Sequence, residues 1–99
     1  MKSKRKMRSY ELDFSKCVTV GDLYQEIRSK LELPEKFGRN LNALWDAVTG
    51  MMYTPAQITV IRKVKSAELA EDVCRIISVL FEAAEKYGKI TVFVKSDDE

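Results

Sequence analysis

Most hydrolytic chemistry needs a general base near neutrality, an activated nucleophile, or a metal. The 99 residues offer no His, two Cys 57 positions apart (Cys17 and Cys74), and four isolated Gly that form no phosphate-cradling pattern. The two Cys have no CxxC spacing and no His to join them as ligands, so they are expected to be reduced thiols, buried as small apolar groups. Carboxylates are spread over helix surfaces and the C-terminus, where solvation accounts for them. Neither an enzyme nor a cofactor, metal or small-molecule substrate is expected.

What the sequence does offer is chemistry of recognition, concentrated in LPEKFGRNLNALWDAVTG, residues 33–50. Asn42 and Asp46 stand one helical turn apart and share a polar face. Leu41, Leu44, Trp45 and Val48 follow the spacing of one buried stripe beside it. Asn40 reads as the N-cap of this helix, its side-chain oxygen accepting from a first-turn amide. Gly50 reads as its left-handed C-terminal cap. Upstream, Pro34 stops the preceding helix, and Gly38 is expected to supply a turn with positive φ. A polar helix face beside an irregular loop is suited to gripping another macromolecule, and Asp46 is its central candidate.

The elements that must carry this face are legible from periodicity. Tyr10, Leu12 and Phe14 alternate with acids, predicting a strand over residues 9–14. Thr19 and Asp22 form a capping box before Val20, Leu23, Ile27 and Leu31, which predict the first helix. Pro55 leads into a β-branched strand over 58–61. Ser66 caps the longest helix, with Leu69, Val73, Ile76, Ile77, Leu80 and Ala84 inward, ending at Tyr87 and Gly88. ITVFV, residues 90–94, is apolar at nearly every position and is expected to be central or covered on both faces. The order β-α-α-β-α-β predicts an α/β domain: a small three-stranded parallel sheet with helices packed on it.

Composition agrees with one small globular domain, with 45% hydrophobic and 32% charged residues. The net charge of +2 is unevenly placed. Lys2, Lys4, Arg5, Lys6 and Arg8 lie within the first nine residues, leaving 12 Lys and Arg against 15 Asp and Glu in the rest. Residues 1–8 are therefore expected to be a flexible basic arm, 9–95 the domain, and 96–99 an acidic tail. The basic start lacks the apolar stretch of a secretory signal, and no run approaches a bilayer span, so a cytoplasmic protein away from membranes is expected. A short basic arm is ordinarily a solvated tail, and direct nucleic-acid binding is not the expected role.

The residues 33–50 resemble the barstar family, intracellular inhibitors of barnase-type bacterial ribonucleases. The resemblance rests on the leucine-proline-glutamate step, the aromatic-glycine turn at Phe37 and Gly38, the cap at Asn40 and Leu41, and the helix ALWDAVTG. More loosely it extends over Val20 to Leu31, Pro55, and Phe81 to Gly88. It implies the same fold and a ribonuclease or nuclease-like toxin as protein partner, bound through Lys36, Phe37, Arg39, Asn40, Asn42, Trp45, Asp46, Thr49, Gly50 and Met51. Asp46 matches the family's central aspartate; Trp45 matches the tryptophan beside it and serves equally well as core. The departures are specific: Asn42 replaces a contact aspartate, Lys36 a contact tyrosine, Arg39 a loop acid and Met51 a tryptophan, while Ala83 falls at the position of a contact glutamate. The resemblance thus implies a barstar-like inhibitor or immunity protein whose partner differs from barnase in charge pattern; the alternative is a scaffold or adaptor that kept the fold and inhibits nothing.

Overall fold

The computed structural model describes residues 7–50, 52 and 54–95. Its elements are β1 (Arg8–Asp13), α1 (Val20–Lys30), α2 (Leu41–Gly50), β2 (Ala56–Ile61), α3 (Ala67–Tyr87) and β3 (Ile90–Lys95). Of the arm expected at 1–8, residues 1–6 lie outside the described residues, as does the expected tail at 96–99, and β1 starts at Arg8, inside the span read as arm.

All three strands are parallel in the spatial order β1-β2-β3. Helical crossovers of the usual right hand that step in one direction across a sheet put every helix on the same face. Burial follows that rule. Tyr10, Ile58 and Val92 lie abreast and are buried, as are Leu12 and Val60. On the other face the row Glu11, Thr59 and Phe93 is exposed or half-buried, with Phe93 49% exposed. The sheet therefore has one covered and one open side.

This corrects the expectation for β3. It is an edge strand, not a central one, with Thr91, Phe93 and Lys95 facing out and Ile90 and Val92 facing in. Its run of apolar residues conceals a period-2 pattern in which Thr91 and Phe93 are the outward members. The central strand is β2, where each inward residue is fully buried and each outward one is partly covered.

Helix α1 is fixed by its predicted capping box. Thr19 Oγ1 accepts from the Asp22 N–H at 3.1 Å, while an Asp22 carboxylate oxygen accepts from the Thr19 N–H at 3.1 Å and the Val18 N–H at 2.9 Å. These bonds, from Val18 first, hold the Asp22 carboxyl below the ordinary aspartate range. Leu23, Tyr24 and Ile27 turn inward, joining Phe14, Leu31, Ile76 and Leu80 in a core whose described members are all apolar or aromatic. Helix α2 packs mainly against α3, and α3 in turn against β3. Cys17 is buried as expected, but Cys74 is exposed on α3, one position after the inward Val73; both are free thiols.

A candidate protein-binding face on helix α2

The loop that leads into α2 is built from the end of α1. Leu33 N–H reaches the Arg28 carbonyl at 2.9 Å and Glu32 N–H the Ser29 carbonyl at 3.4 Å, a Schellman closure with Glu32 in the left-handed region at φ 58°. The conformation expected of a glycine downstream is thus taken here by a glutamate. Leu33 is buried, Pro34 stops the chain from continuing helically, and the Phe37 N–H donates to the Pro34 carbonyl at 3.0 Å. The Phe37 ring, 9% exposed, enters the core and meets Tyr24 with centroids 6.4 Å apart. Phe37 is therefore an anchor under the loop, while Lys36 and Arg39 on either side are exposed.

Gly38 has a reason other than the expected one. Its φ is not positive; a Cβ there would stand 3.1 Å from the Ala43 Cβ, so the loop backbone passes so near the first turn of α2 that a side chain would have to push Ala43 away by a few tenths of an ångström. The Arg39 guanidinium lies toward α1, 3.7 Å from where a Cβ on Gly21 would be. Asn40 caps α2 as read from the sequence, its Oδ1 accepting from the Ala43 N–H at 2.8 Å and its carbonyl from the Leu44 N–H at 3.1 Å.

Around α2, each residue turns about 100° from the last. Leu44, Ala47 and Val48 face inward and are buried; Asn42, Asp46 and Gly50 face out and are exposed. Leu41 and Trp45 are only partly buried, so they line the margin of the stripe instead of its centre. Trp45 meets the Tyr87 ring at 6.0 Å, and Thr49, half-buried, donates from Oγ1 to the Trp45 carbonyl at 2.7 Å. Gly50 is the last helical residue and is not left-handed; the bond past it runs from the Met52 N–H to the Ala47 carbonyl at 3.1 Å. Met51 lies outside the described residues. Asp46 is the sole charged side chain on α2, and it makes no hydrogen bond or ion pair with the described residues.

Ala83, where the resemblance implies a contact glutamate, is fully buried, so its side chain does not reach the surface; the exposed acids of that turn are Glu82 and Glu85. Tyr87 was read only as a helix end. It does end α3, just before Gly88, whose left-handed φ of 69° and bond to the Ala84 carbonyl close the helix, and no local pattern joined its ring to Trp45.

A hollow of about 450 Å³ lies elsewhere, along α1, lined by Asp13, Cys17, Asp22, Glu26 and Lys30 among others. Its acids are already engaged. Glu26 accepts from the Asp13 N–H at 3.0 Å and from Lys30 Nζ at 2.7 Å, and Asp13 accepts from the Ser15 N–H at 3.0 Å. Burial, with Glu26 and Asp22 nearby, pushes the Cys17 thiol up and away from thiolate reactivity. No group of three or more His, Cys, Asp or Glu among the described residues is arranged to hold a metal.

Among proteins of known description, one Bacillus subtilis (strain 168) protein named "Putative ribonuclease inhibitor YrdF" is 37% identical to this chain over 49 residues. That match spans 50% of this chain and 54% of the relative's length. The family described as Barstar (barnase inhibitor) matches far more, residues 7–96, which takes in every element from β1 to β3. With its three parallel strands in β-α-α-β-α-β order and its Asn40-capped α2, the chain belongs to the barstar family.

Proposed function

We propose that this chain is an inhibitor or immunity protein of the bacterial cytoplasm that binds a ribonuclease or nuclease-like toxin and occludes its active site. The contact surface is the loop at Lys36, Arg39 and Asn40 together with Asn42, Trp45, Asp46, Thr49, Gly50 and Met51, with Phe37 holding the loop from beneath. One observation carries the reading most of the way: Asp46 is presented on a capped, core-packed helix with its carboxylate left unused by the described residues. An unspent carboxylate on a fixed backbone suits the cationic cleft of an enzyme that handles RNA phosphates, because it supplies the charge the cleft is built to receive. Family membership supports an inhibitor in place of an enzyme, and the absence of His agrees with it.

The partner differs from barnase in charge pattern. Lys36 and Arg39 add positive charge, and Asn42 withholds a negative one, where the family resemblance implies tyrosine and acids. Like charge facing like across an interface costs several kcal/mol in unfavourable cases, enough to redirect partner choice. Inhibition assays against barnase and against a ribonuclease or toxin encoded beside this gene test the proposal. Strong inhibition of the neighbouring enzyme and weak inhibition of barnase is the expected result. Tight inhibition of barnase would refute the difference in charge pattern, and inhibition of neither would favour the adaptor.

A further inference from the structure

The exposed face of α2 has two unlike margins. On one, Gly38 brings the loop against Ala43, so the face is bounded by the backbone carrying Lys36 and Arg39. On the other, Trp45 stands next to Asp46 in the chain and about 100° around the helix from it. Beyond Trp45 the surface does not stop at α2. The Tyr87 ring of α3 continues it, at 6.0 Å and tilted by 54° from the Trp45 ring.

Tyr87 is 49% exposed, although it sits at the end of a helix whose inward positions are almost completely buried. Its ring is backed on one side by Trp45, and its backbone is fixed by the Gly88 cap. A large aromatic ring held in place before any partner arrives loses little freedom on binding, which is why Tyr and Trp so often carry interface energy.

We propose that Tyr87 is a partner-contacting residue, forming with Trp45 an aromatic wall beside Asp46 that receives a basic side chain of the bound protein. The inference rests on the inhibitor reading above and extends its surface from α2 onto α3. The chemistry follows from the neighbours. Asp46 calls for a cation, and an arginine or lysine that reaches it across this margin lays its apolar stem and charged head against ring faces, where cation–π attraction and apolar contact both act. Phe81 supplies a built-in comparison, being an equally exposed aromatic at 46% on the same helix, six residues earlier and thus about 120° around from Tyr87.

The test measures dissociation constants of the full chain and its variants with barnase and with the ribonuclease encoded beside the gene, alongside thermal melting. Tyr87→Ala is expected to weaken the cognate complex about tenfold or more, Tyr87→Phe to stay within about threefold, and Phe81→Ala within about twofold. Combining Tyr87→Ala with Asp46→Ala should give a loss smaller than the product of the two, because both act on one basic group. A Tyr87→Ala affinity unchanged while Asp46→Ala weakens binding would overturn the wall and leave the inhibitor reading standing. Equal losses from Phe81→Ala and Tyr87→Ala would also overturn it, as would a melting temperature lowered by Tyr87→Ala enough to explain the loss. If the unmodified chain binds neither ribonuclease, both the reading and this inference fail.

Discussion

Along α1, Asp22 takes two backbone N–H groups, Asp13 takes the Ser15 amide, and Glu26 takes both the Asp13 amide and the Lys30 ammonium. On α2, Asp46 and Asn42 take nothing from the described residues. Both regions carry an aspartate on a capped helix, and both helices lie on the covered side of one sheet. In the first, hydrogen-bonding capacity is consumed within the chain and secures the fold. In the second, a fixed backbone presents capacity that nothing in the fold consumes, and that surplus is what a partner can use.

Phe37 belongs to both regions and gives the largest expected effect. Truncating a ring that is 9% exposed and packed on Tyr24 should cost about 3 kcal/mol in denaturant unfolding, with weaker binding following from a loosened loop. Little loss of stability would mean that the loop is not core-anchored. Next is Asp46→Ala, which should weaken the cognate complex by about 2 kcal/mol or more while changing unfolding stability by less than about 0.5 kcal/mol. A stability cost as large as the binding cost would erase the contrast between the regions.

The two helix caps sharpen it further. Thr19→Ala and Asn40→Ala should each cost about 1 kcal/mol of stability, since each removes an oxygen that accepts a first-turn amide. Only the Asn40 variant should also weaken binding, as it frays the partner-facing helix. Equal binding losses from both would show that general stability, not the α2 face, governs affinity. The smallest effect concerns acid. Asp22 and Asp13 are held below the ordinary aspartate value by hydrogen bonds from Val18 and Thr19, and from Ser15, respectively. A carboxyl with a depressed folded-state pKa contributes stability that is present above its unfolded value and is lost as pH falls through the folded one. Melting followed from about pH 5 to about pH 2 should therefore decline less steeply for Asp22→Asn than for the unmodified chain. Identical slopes would dissociate that carboxylate from acid sensitivity.

The order of elements, their parallel pairing and three N-caps were legible because each depends on local pattern: alternation at Tyr10 and Leu12, the Thr19–Asp22 pair, Asn40 before Leu41, Ser66 before α3. Element ends moved by a residue or two, as when β2 began at Ala56 and not Ile58. Expectations that depended on distant neighbours fared worse. Nothing within ITVFV says whether a helix will lie over Phe93; that is set by crossover direction. Gly38 and Gly50 suggested left-handed backbone, yet one glycine serves a close approach to Ala43 and the other ends a helix in ordinary geometry, while Glu32 takes the left-handed position. Buried Ala83 and exposed Cys74 each turn on helix phase, where a shift of one residue swings a side chain by about 100°. On the proposed face, the exposure of Asp46 was legible as an acid at polar phase, whereas the pairing of Tyr87 with Trp45 was not, because the two are 42 positions apart in the chain.

Helix α2 leans on α3 with Leu44, Ala47 and Val48 in the core, and its outward residues carry no part of that core. Its outward letters can therefore be rewritten one at a time while the central strand and its neighbours remain as they are.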